Sequence, residues 1–301
     1  MPGKIRVGLI GLDTSHVTIF TKMLNDQHDP YHVPGGRVTV GYPGGSDDFE
    51  LSHGRVGKFT SELKDSWGVH IVDSPEAVAE ASDLILIESV DGRVHRRHFD
   101  QVISFRKPIF VDKPMTVSFG DAAYMFDKAK SLNVPLMSAS SLRYWDVAMQ
   151  AIGDGKGILS CDVFGPLPEE ATQPGLFWYG IHAVEMLVAA MGVGCVEVRA
   201  FRNDNADLII FLWRDGRVAS LHGLRNAHGK FGLTVHRADG PRFADFAQSK
   251  KPYYAGLLEA IMRSLPLGRS DVPSEQTLEI IRIIESVNQS RRTCQSVRLN
   301  Q

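Results

Sequence analysis

The chain has 301 residues, of which 43% are hydrophobic and 23% charged, a composition that supports buried cores at a length that favours two domains. Its formal net charge of -2 provides no electrostatic drive towards nucleic acid or an anionic membrane, and neither is expected as a partner. Cys161, Cys195 and Cys294 are odd in number and far apart, which argues against a disulfide framework and a cysteine-based zinc site; they read as small buried hydrophobes in a reducing compartment. No apolar run reaches the roughly 18 residues of a membrane span, and the opening residues lack a charged segment followed by an apolar one, so a cytoplasmic location is expected.

Ile5 to Ile10 reads as a buried parallel strand that ends in Gly11-Leu12-Asp13-Thr14-Ser15-His16, ahead of an apolar-periodic helix from Val17 to Leu24. Thr14 or Ser15 caps this helix, whose free N–H groups form a natural anion site. Of a Gly-x-Gly-x-x-Gly fingerprint only Gly11 is present. Asp13 takes the second glycine position and His16 the third, so the stretch is either a modified nucleotide loop or a plain capped turn. A carboxylate at Asp13 is expected to obstruct and repel a pyrophosphate. A second strand, Arg37 to Val40, leads to Gly44-Gly45-Ser46, a flexible loop or a backbone nest for a phosphate. No acid stands at that strand end to hold ribose hydroxyls.

A helix from Lys58 to Trp67 and a strand from Val69 to Val72 follow. Ser74 then caps a helix with Pro75 at its first position. Asp83 to Ser89 is a nearly continuous apolar run suited to a central strand, and Val90 and Asp91 continue into its loop. After a helix to about Phe105, a short strand Ile109 to Val111 delivers Asp112, Lys113 and Pro114 to the same sheet edge as Gly11 and Ser89. A helix from Phe119 to Leu132 and a strand from Pro135 to Ala139 complete an alternation that implies a parallel sheet with right-handed crossovers.

Beyond Gly155 the rhythm changes to short strands, Ile158 to Phe164, Val196 to Phe201, Leu208 to Trp213, Val218 to Leu224 and Gly232 to His236, with Asp215-Gly216 as a hairpin mark. An almost wholly apolar helix from Phe177 to Leu187 carries His182 and Glu185 on adjacent turns. Two such groups are too few for a metal, and none is expected. Arg225, His222, His228 and His236 read as solvated sheet or loop positions. The polar stretch from Gly240 to Lys251 reads as a loop, Tyr253 to Ser264 as a helix, Pro266 to Pro273 as a connector, and Ser274 as the cap of a last helix. The fold class is therefore α/β. A Rossmann-type parallel-sheet domain over residues 1–139 precedes an α+β domain over 140–301 with a mostly antiparallel, open-faced sheet.

Val7-Gly8-Leu9-Ile10-Gly11, Asp112-Lys113-Pro114, Tyr179-Gly180-Ile181-His182 and a closing helix from Thr277 to Ser290 with a tail strand at Ser296 to Leu299 occur in one order along nearly the whole chain. That ordered set resembles the glucose-fructose oxidoreductase, inositol dehydrogenase and MocA (Gfo/Idh/MocA) family of two-domain NAD(P)-dependent oxidoreductases, as a divergent branch. The resemblance implies NAD or NADP held by Gly11, Leu12, Asp13, Thr14, Ser15, His16, Gly44, Gly45, Ser46, Ser89, Val90, Asp91, Asp112 and Lys113. It implies that Lys113 lies between the nicotinamide ribose and a substrate hydroxyl, that His182 is the acid/base, and that Arg143, Trp178 and Tyr179 join His182 in binding substrate. The expected substrate is a small carbohydrate-like molecule, a sugar, polyol or cyclitol. The expected assembly is a homodimer or homotetramer through the C-terminal sheet. Trp178 stands where the family often has an acid four residues before the histidine. Two further readings keep the same shell: a ligand-binding or regulatory protein without turnover, and a lyase or hydrolase that uses transient oxidation by bound nicotinamide.

Overall fold

In a computed structural model, which describes residues 4–225 and 229–299, strands and helices alternate from the first described residues onward. The order is β1 (Ile5–Ile10), α1 (Ser15–Asn25), β2 (Gly36–Tyr42), α2 (Glu50–Trp67), β3 (His70–Ile71), α3 (Pro75–Ala81), β4 (Leu84–Ile87), α4 (His95–Val102), β5 (Ile109–Asp112), α5 (Phe119–Ser131) and β6 (Leu136–Ala139). The six strands form one parallel sheet in the order β3-β2-β1-β4-β5-β6. Every residue of β4, β5 and β6 is buried, as continuous apolar strands covered on both faces must be. The direction of progression reverses between β1 and β4, and in such sheets the crevice at the carboxyl ends beside that reversal is where ligands sit.

The chain then forms α6 (Asp146–Ile152), β7 (Ile158–Pro166), α7 (Gly180–Met191), β8 (Cys195–Arg202), β9 (Ala206–Trp213), β10 (Val218–Leu224), β11 (Gly232–Arg237), β12 (Arg242–Asp245), α8 (Tyr253–Ser264), α9 (Ser274–Thr293) and β13 (Val297–Arg298). The second sheet runs β12-β11-β7-β10-β9-β8-β13 and is antiparallel except for the β7–β10 pair. Helix α7 packs on β7 and α9 on β8. On β9 buried residues alternate with exposed or half-exposed ones, Asp207, Ile209, Phe211 and Trp213 against Leu208, Ile210 and Leu212, the period of a sheet covered on one face.

Two units result. One comprises residues up to Thr116, Gly120–Ala139 and Tyr254–Pro273; the other comprises Val117–Phe119, Ser140–Tyr253 and Ser274 onward. The sequence placed a single boundary between 139 and 140, but α8 returns to the first unit, where Tyr254 packs against His16 and Phe20 of α1.

Several local expectations are corrected. Helix α2 begins at Glu50 rather than Lys58, because its polar, glycine-containing first half is held by a tertiary contact at Ser52 rather than by apolar periodicity. The stretch after Gly240 contains β12, which pairs with β11. Ser274 is the first residue of α9, not the residue before it. Cys161 and Cys195 are buried, and burial pushes both thiols up to about 12, but Cys294 is exposed. His236 bonds Asp162 at 2.7 Å on the exposed side of the sheet, and Arg225 is enclosed with Asp207 rather than solvated. His228 lies outside the described residues.

Candidate functional site

Gly11 leaves β1 with φ 87°, and a Cβ there would stand 2.2 Å from Ser89 Oγ. Only glycine permits the β1 loop to lie so close to the chain leaving β4. Two backbone bonds strap the same loop to the end of β2: Gly11 N–H to the Tyr42 carbonyl at 2.9 Å and Leu12 N–H to the Pro43 carbonyl at 2.7 Å. Leu12 is fully buried, and Thr14 caps α1, its Oγ1 accepting from the His16 N–H at 3.5 Å. Ser15 is exposed at the first position of the helix.

Asp13 corrects a sequence expectation. Its carboxylate turns inward, fully buried, and accepts from Ser52 Oγ at 2.6 Å and from the Val90 N–H at 2.9 Å. Burial raises its pKa, with the Ser52 and Val90 bonds opposing the rise. The residue thus ties the β1 loop to α2 and to the chain after β4, and its charge is directed away from solvent. Ser46 is similarly committed: its N–H donates to Ser52 Oγ at 2.8 Å and its hydroxyl to Asp91 at 2.8 Å, so the nest expected at Gly44-Gly45-Ser46 has spent one of its donors. Gly44 and Gly45 keep positive φ values of 60° and 112°.

A cleft of about 330 Å³ opens beside these residues, lined by Gly45, Ser46, Asp48, Asp91, Arg93 and Arg97 among others. Arg93 forks between Asp91 and Asp48, with its closest approaches 2.7 Å and 2.8 Å. His95, which the sequence reading passed over, has Nε2 2.7 Å from the Ser89 carbonyl and Nδ1 2.9 Å from the Pro114 carbonyl. It pins the loop after β4 to the segment after β5. The Ser89 hydroxyl is buried and makes no hydrogen bond.

At the end of β5, Asp112 is buried and Lys113 is only 8% exposed. Asp112 meets two residues from other elements, His16 of α1 and Glu88 just past β4. His16 Nδ1 is 3.1 Å from Asp112 Oδ2 and 3.5 Å from Glu88 Oε2. Burial would lower the imidazole, but the carboxylates of Asp112 and Glu88 outweigh it and raise His16 to about 9. Burial pushes Glu88 up to about 7, against the pull of His16. Burial would also raise Asp112, but the charges of His16 and Lys113 hold it below the usual carboxylate range. Glu88 was missed because it ends an apolar run that reads as pure core. The available signal was a carboxylate directly after a central strand, at the edge where ligands bind.

In the second unit His182 is the third residue of α7, half-buried, with Nδ1 2.7 Å from Ser140 Oγ. Ser140 is fully buried and its hydroxyl oxygen also accepts the Leu142 N–H at 3.1 Å, so the group that orients His182 is itself fixed. Tyr179 and Phe231 flank the imidazole with ring centroids at 5.6 and 5.8 Å, and Trp178 packs edge-on to Tyr179. Glu185 accepts from Arg143 Nε at 2.5 Å, and Arg143 Nη1 donates to Gln276 at 2.9 Å. Glu185 is thereby engaged with an arginine rather than paired with His182. The structure brings Arg143, Tyr179 and His182 into one unit; the sequence did not indicate Ser140 or Gln276.

Residues 55–140 match the model of a family described as "Oxidoreductase family, NAD-binding Rossmann fold" (GFO_IDH_MocA). Among solved structures, GenD2 from gentamicin A biosynthesis, in complex with NAD, superposes with a TM-score of 0.81 at 16% identity, covering 100% of this chain and 98% of that one. The myo-inositol 2-dehydrogenase of Lactobacillus plantarum gives 0.79 at 15% identity, over 99% of this chain and 100% of that one. The myo-inositol dehydrogenase of Lactobacillus casei, in complex with NAD(H) and myo-inositol, gives 0.76 at 13% identity, over 99% and 98%. At these identities the likeness is one of fold. No curated protein sequence matches the chain. The match to the oxidoreductase family model covers residues 55–140, and the two-sheet fold is shared with those solved structures along nearly the whole chain.

Proposed function

We propose that the protein is an NAD(P)-dependent dehydrogenase that acts on a hydroxyl-bearing carbon of a sugar, polyol or cyclitol. The observation that carries this reading is the carboxyl edge of the first sheet, where Gly11, Ser89 and the nearly buried Lys113 gather beside the reversal of strand order. The residues fit a dinucleotide. Asp13 presents no charge to solvent, the buried Ser89 hydroxyl lacks a partner, and the 330 Å³ cleft beside the end of β2 holds Arg97 as well as Arg93, the latter already engaged by Asp48 and Asp91. Gly11, Leu12, Thr14, Ser15, Gly44, Gly45, Ser89 and Val90 would hold the group, with Ser46, Asp91 and Arg93 at the cleft. Bound there, the nicotinamide supplies the hydride acceptor or donor.

The chain supplies the rest. Lys113, whose ammonium helps to hold Asp112 ionised, is assigned to steady the substrate oxygen as negative charge develops on it. His182 is assigned to the proton. Its Nδ1 is held 2.7 Å from Ser140 Oγ, which orients the ring, and imidazole is the side-chain group suited to taking up and returning a hydroxyl proton. Arg143, clamped by Glu185 and Gln276, keeps a buried Nη2 without a hydrogen bond and is assigned, with Trp178 and Tyr179, to substrate.

Fluorescence titration of the purified protein with NADH and with NADPH tests the reading, together with inspection of denatured protein for retained dinucleotide. Saturable binding of one of them is expected. Binding of neither, with none retained, refutes it and leaves the ligand-binding shell.

The same reading includes a homo-oligomer through the open sheet face. Phe201 pairs with Leu208 and Leu212 with Val218 in the sheet register, and all four are exposed, at 48%, 40%, 37% and 45%. Contiguous apolar side chains of this kind mark association surfaces. Light scattering is expected to give a dimer or tetramer that Leu208→Glu dissociates; a wild-type monomer refutes this part alone.

A further inference from the structure

We propose that His16, Glu88 and Asp112 form a binding site for a divalent transition-metal ion of the zinc class at the carboxyl edge of the first unit's sheet. The three residues come from three elements, the first turn of α1, the residue after β4 and the last residue of β5. They are 7%, 0% and 1% exposed. One ligand atom from each lies within 4.8 Å of the others.

The second observation is what these buried atoms lack. Neither oxygen of Glu88 makes a hydrogen bond, and neither do His16 Nδ1 and Asp112 Oδ1, although the imidazole nitrogen lies 3.1 and 3.5 Å from the two carboxylates. The groups are close, yet the ring N–H direction points squarely at neither oxygen. Atoms directed at a common point instead of at one another behave in this way. Two ligands about 2.0–2.2 Å from one ion, at a tetrahedral angle, stand roughly 3.4 Å apart, close to the 3.1 and 3.5 Å from His16 Nδ1 to the two carboxylates. A fully buried carboxylate that accepts no hydrogen bond and has only an imidazole 3.5 Å away is costly to keep ionised, and a bound cation would meet that cost.

The donor set selects the ion. One imidazole nitrogen with two carboxylate oxygens suits zinc, manganese or ferrous iron better than calcium, which takes six or more oxygens, or a thiophilic ion. Two carboxylates also neutralise a doubly charged cation. Tyr254 and Phe20 both pack against the His16 ring, with centroids 4.8 and 5.8 Å away, so its orientation is set by packing. The site lies entirely within one unit, and its occupancy is read without dinucleotide or substrate, so its failure is distinct from failure of the dehydrogenase reading.

Full-length protein, stripped with chelator and dialysed, is titrated with Zn²⁺ by calorimetry and with Co²⁺ by visible absorption. One ion per chain is expected, with a cobalt spectrum of nitrogen and oxygen ligation. His16→Gln and Glu88→Gln should each weaken zinc binding by at least about 100-fold, beyond the 10–100-fold lost with a supporting residue, while Cys294→Ser leaves it unchanged. Absence of stoichiometric uptake by the wild type overturns the proposal, as does uptake that persists in both variants; either result leaves a proton shared among the three groups. Should the variants fail to fold, the wild-type cobalt spectrum decides. Nitrogen and oxygen bands support the site, and thiolate charge-transfer bands or no bands overturn it.

Discussion

Asp207→Asn is expected to destabilise the second unit by roughly 3–5 kcal/mol, the scale of a buried ion pair broken by loss of one partner. Asp207 is the second residue of β9 and is fully buried. Its Oδ1 accepts from Arg225 at 2.6 Å and its Oδ2 from Arg291 at 2.7 Å, with Arg202 at 3.9 Å. The side chains of Arg225 and Arg291 are only 10% and 7% exposed, so the amide leaves two enclosed guanidinium groups without their shared anion. Glu169, half-exposed, reaches Arg291 and Arg202 but not Arg225, and compensates only in part. Of the four tryptophans, Trp145, Trp178 and Trp213 lie in the second unit, so the loss appears as a lower denaturant midpoint followed by tryptophan fluorescence. Asp215→Asn, which breaks a solvent-exposed pair with Arg217, serves as the control and leaves the midpoint in place. An unmoved midpoint in Asp207→Asn would mean that Glu169 suffices for Arg291 and the neighbouring backbone carbonyls suffice for Arg225.

Under the proposed mechanism, Lys113→Ala and His182→Ala are each expected to lower turnover by about 10²- to 10⁴-fold, the usual range for loss of a positioned acid, base or charge. Affinity for the dinucleotide should change far less, because the proposed roles concern the reacting oxygen and its proton. Unchanged turnover in both variants removes these residues from the mechanism, and loss of cofactor affinity in step with turnover reassigns them to binding.

Local patterning was sufficient for much of this architecture. The buried runs at β1, β4 and β5 are legible because a strand covered on both faces must be apolar throughout, and Ser74-Pro75 marks the start of α3 through capping alone. The edge position of Lys113 follows from the same logic, since the residue after a short buried strand emerges at its carboxyl end. The first half of α2 was not legible, because its order depends on Ser52 meeting Asp13, with α1 and β2 lying between them along the chain.

What the sequence by itself determined, then, is the alternation, the two kinds of sheet and the placement of Gly11, Ser89 and Lys113 on one edge, all consequences of periodicity within a few residues. The partners of the polar groups were decided only by the tertiary structure. Ser140 at His182, Arg143 at Glu185, the two arginines on Asp207 and the meeting of His16 with Glu88 and Asp112 each join residues far apart along the chain. The physical reason is that hydrophobic period is a property of one element, whereas the desolvation of a buried charge is balanced by whichever group the fold brings against it.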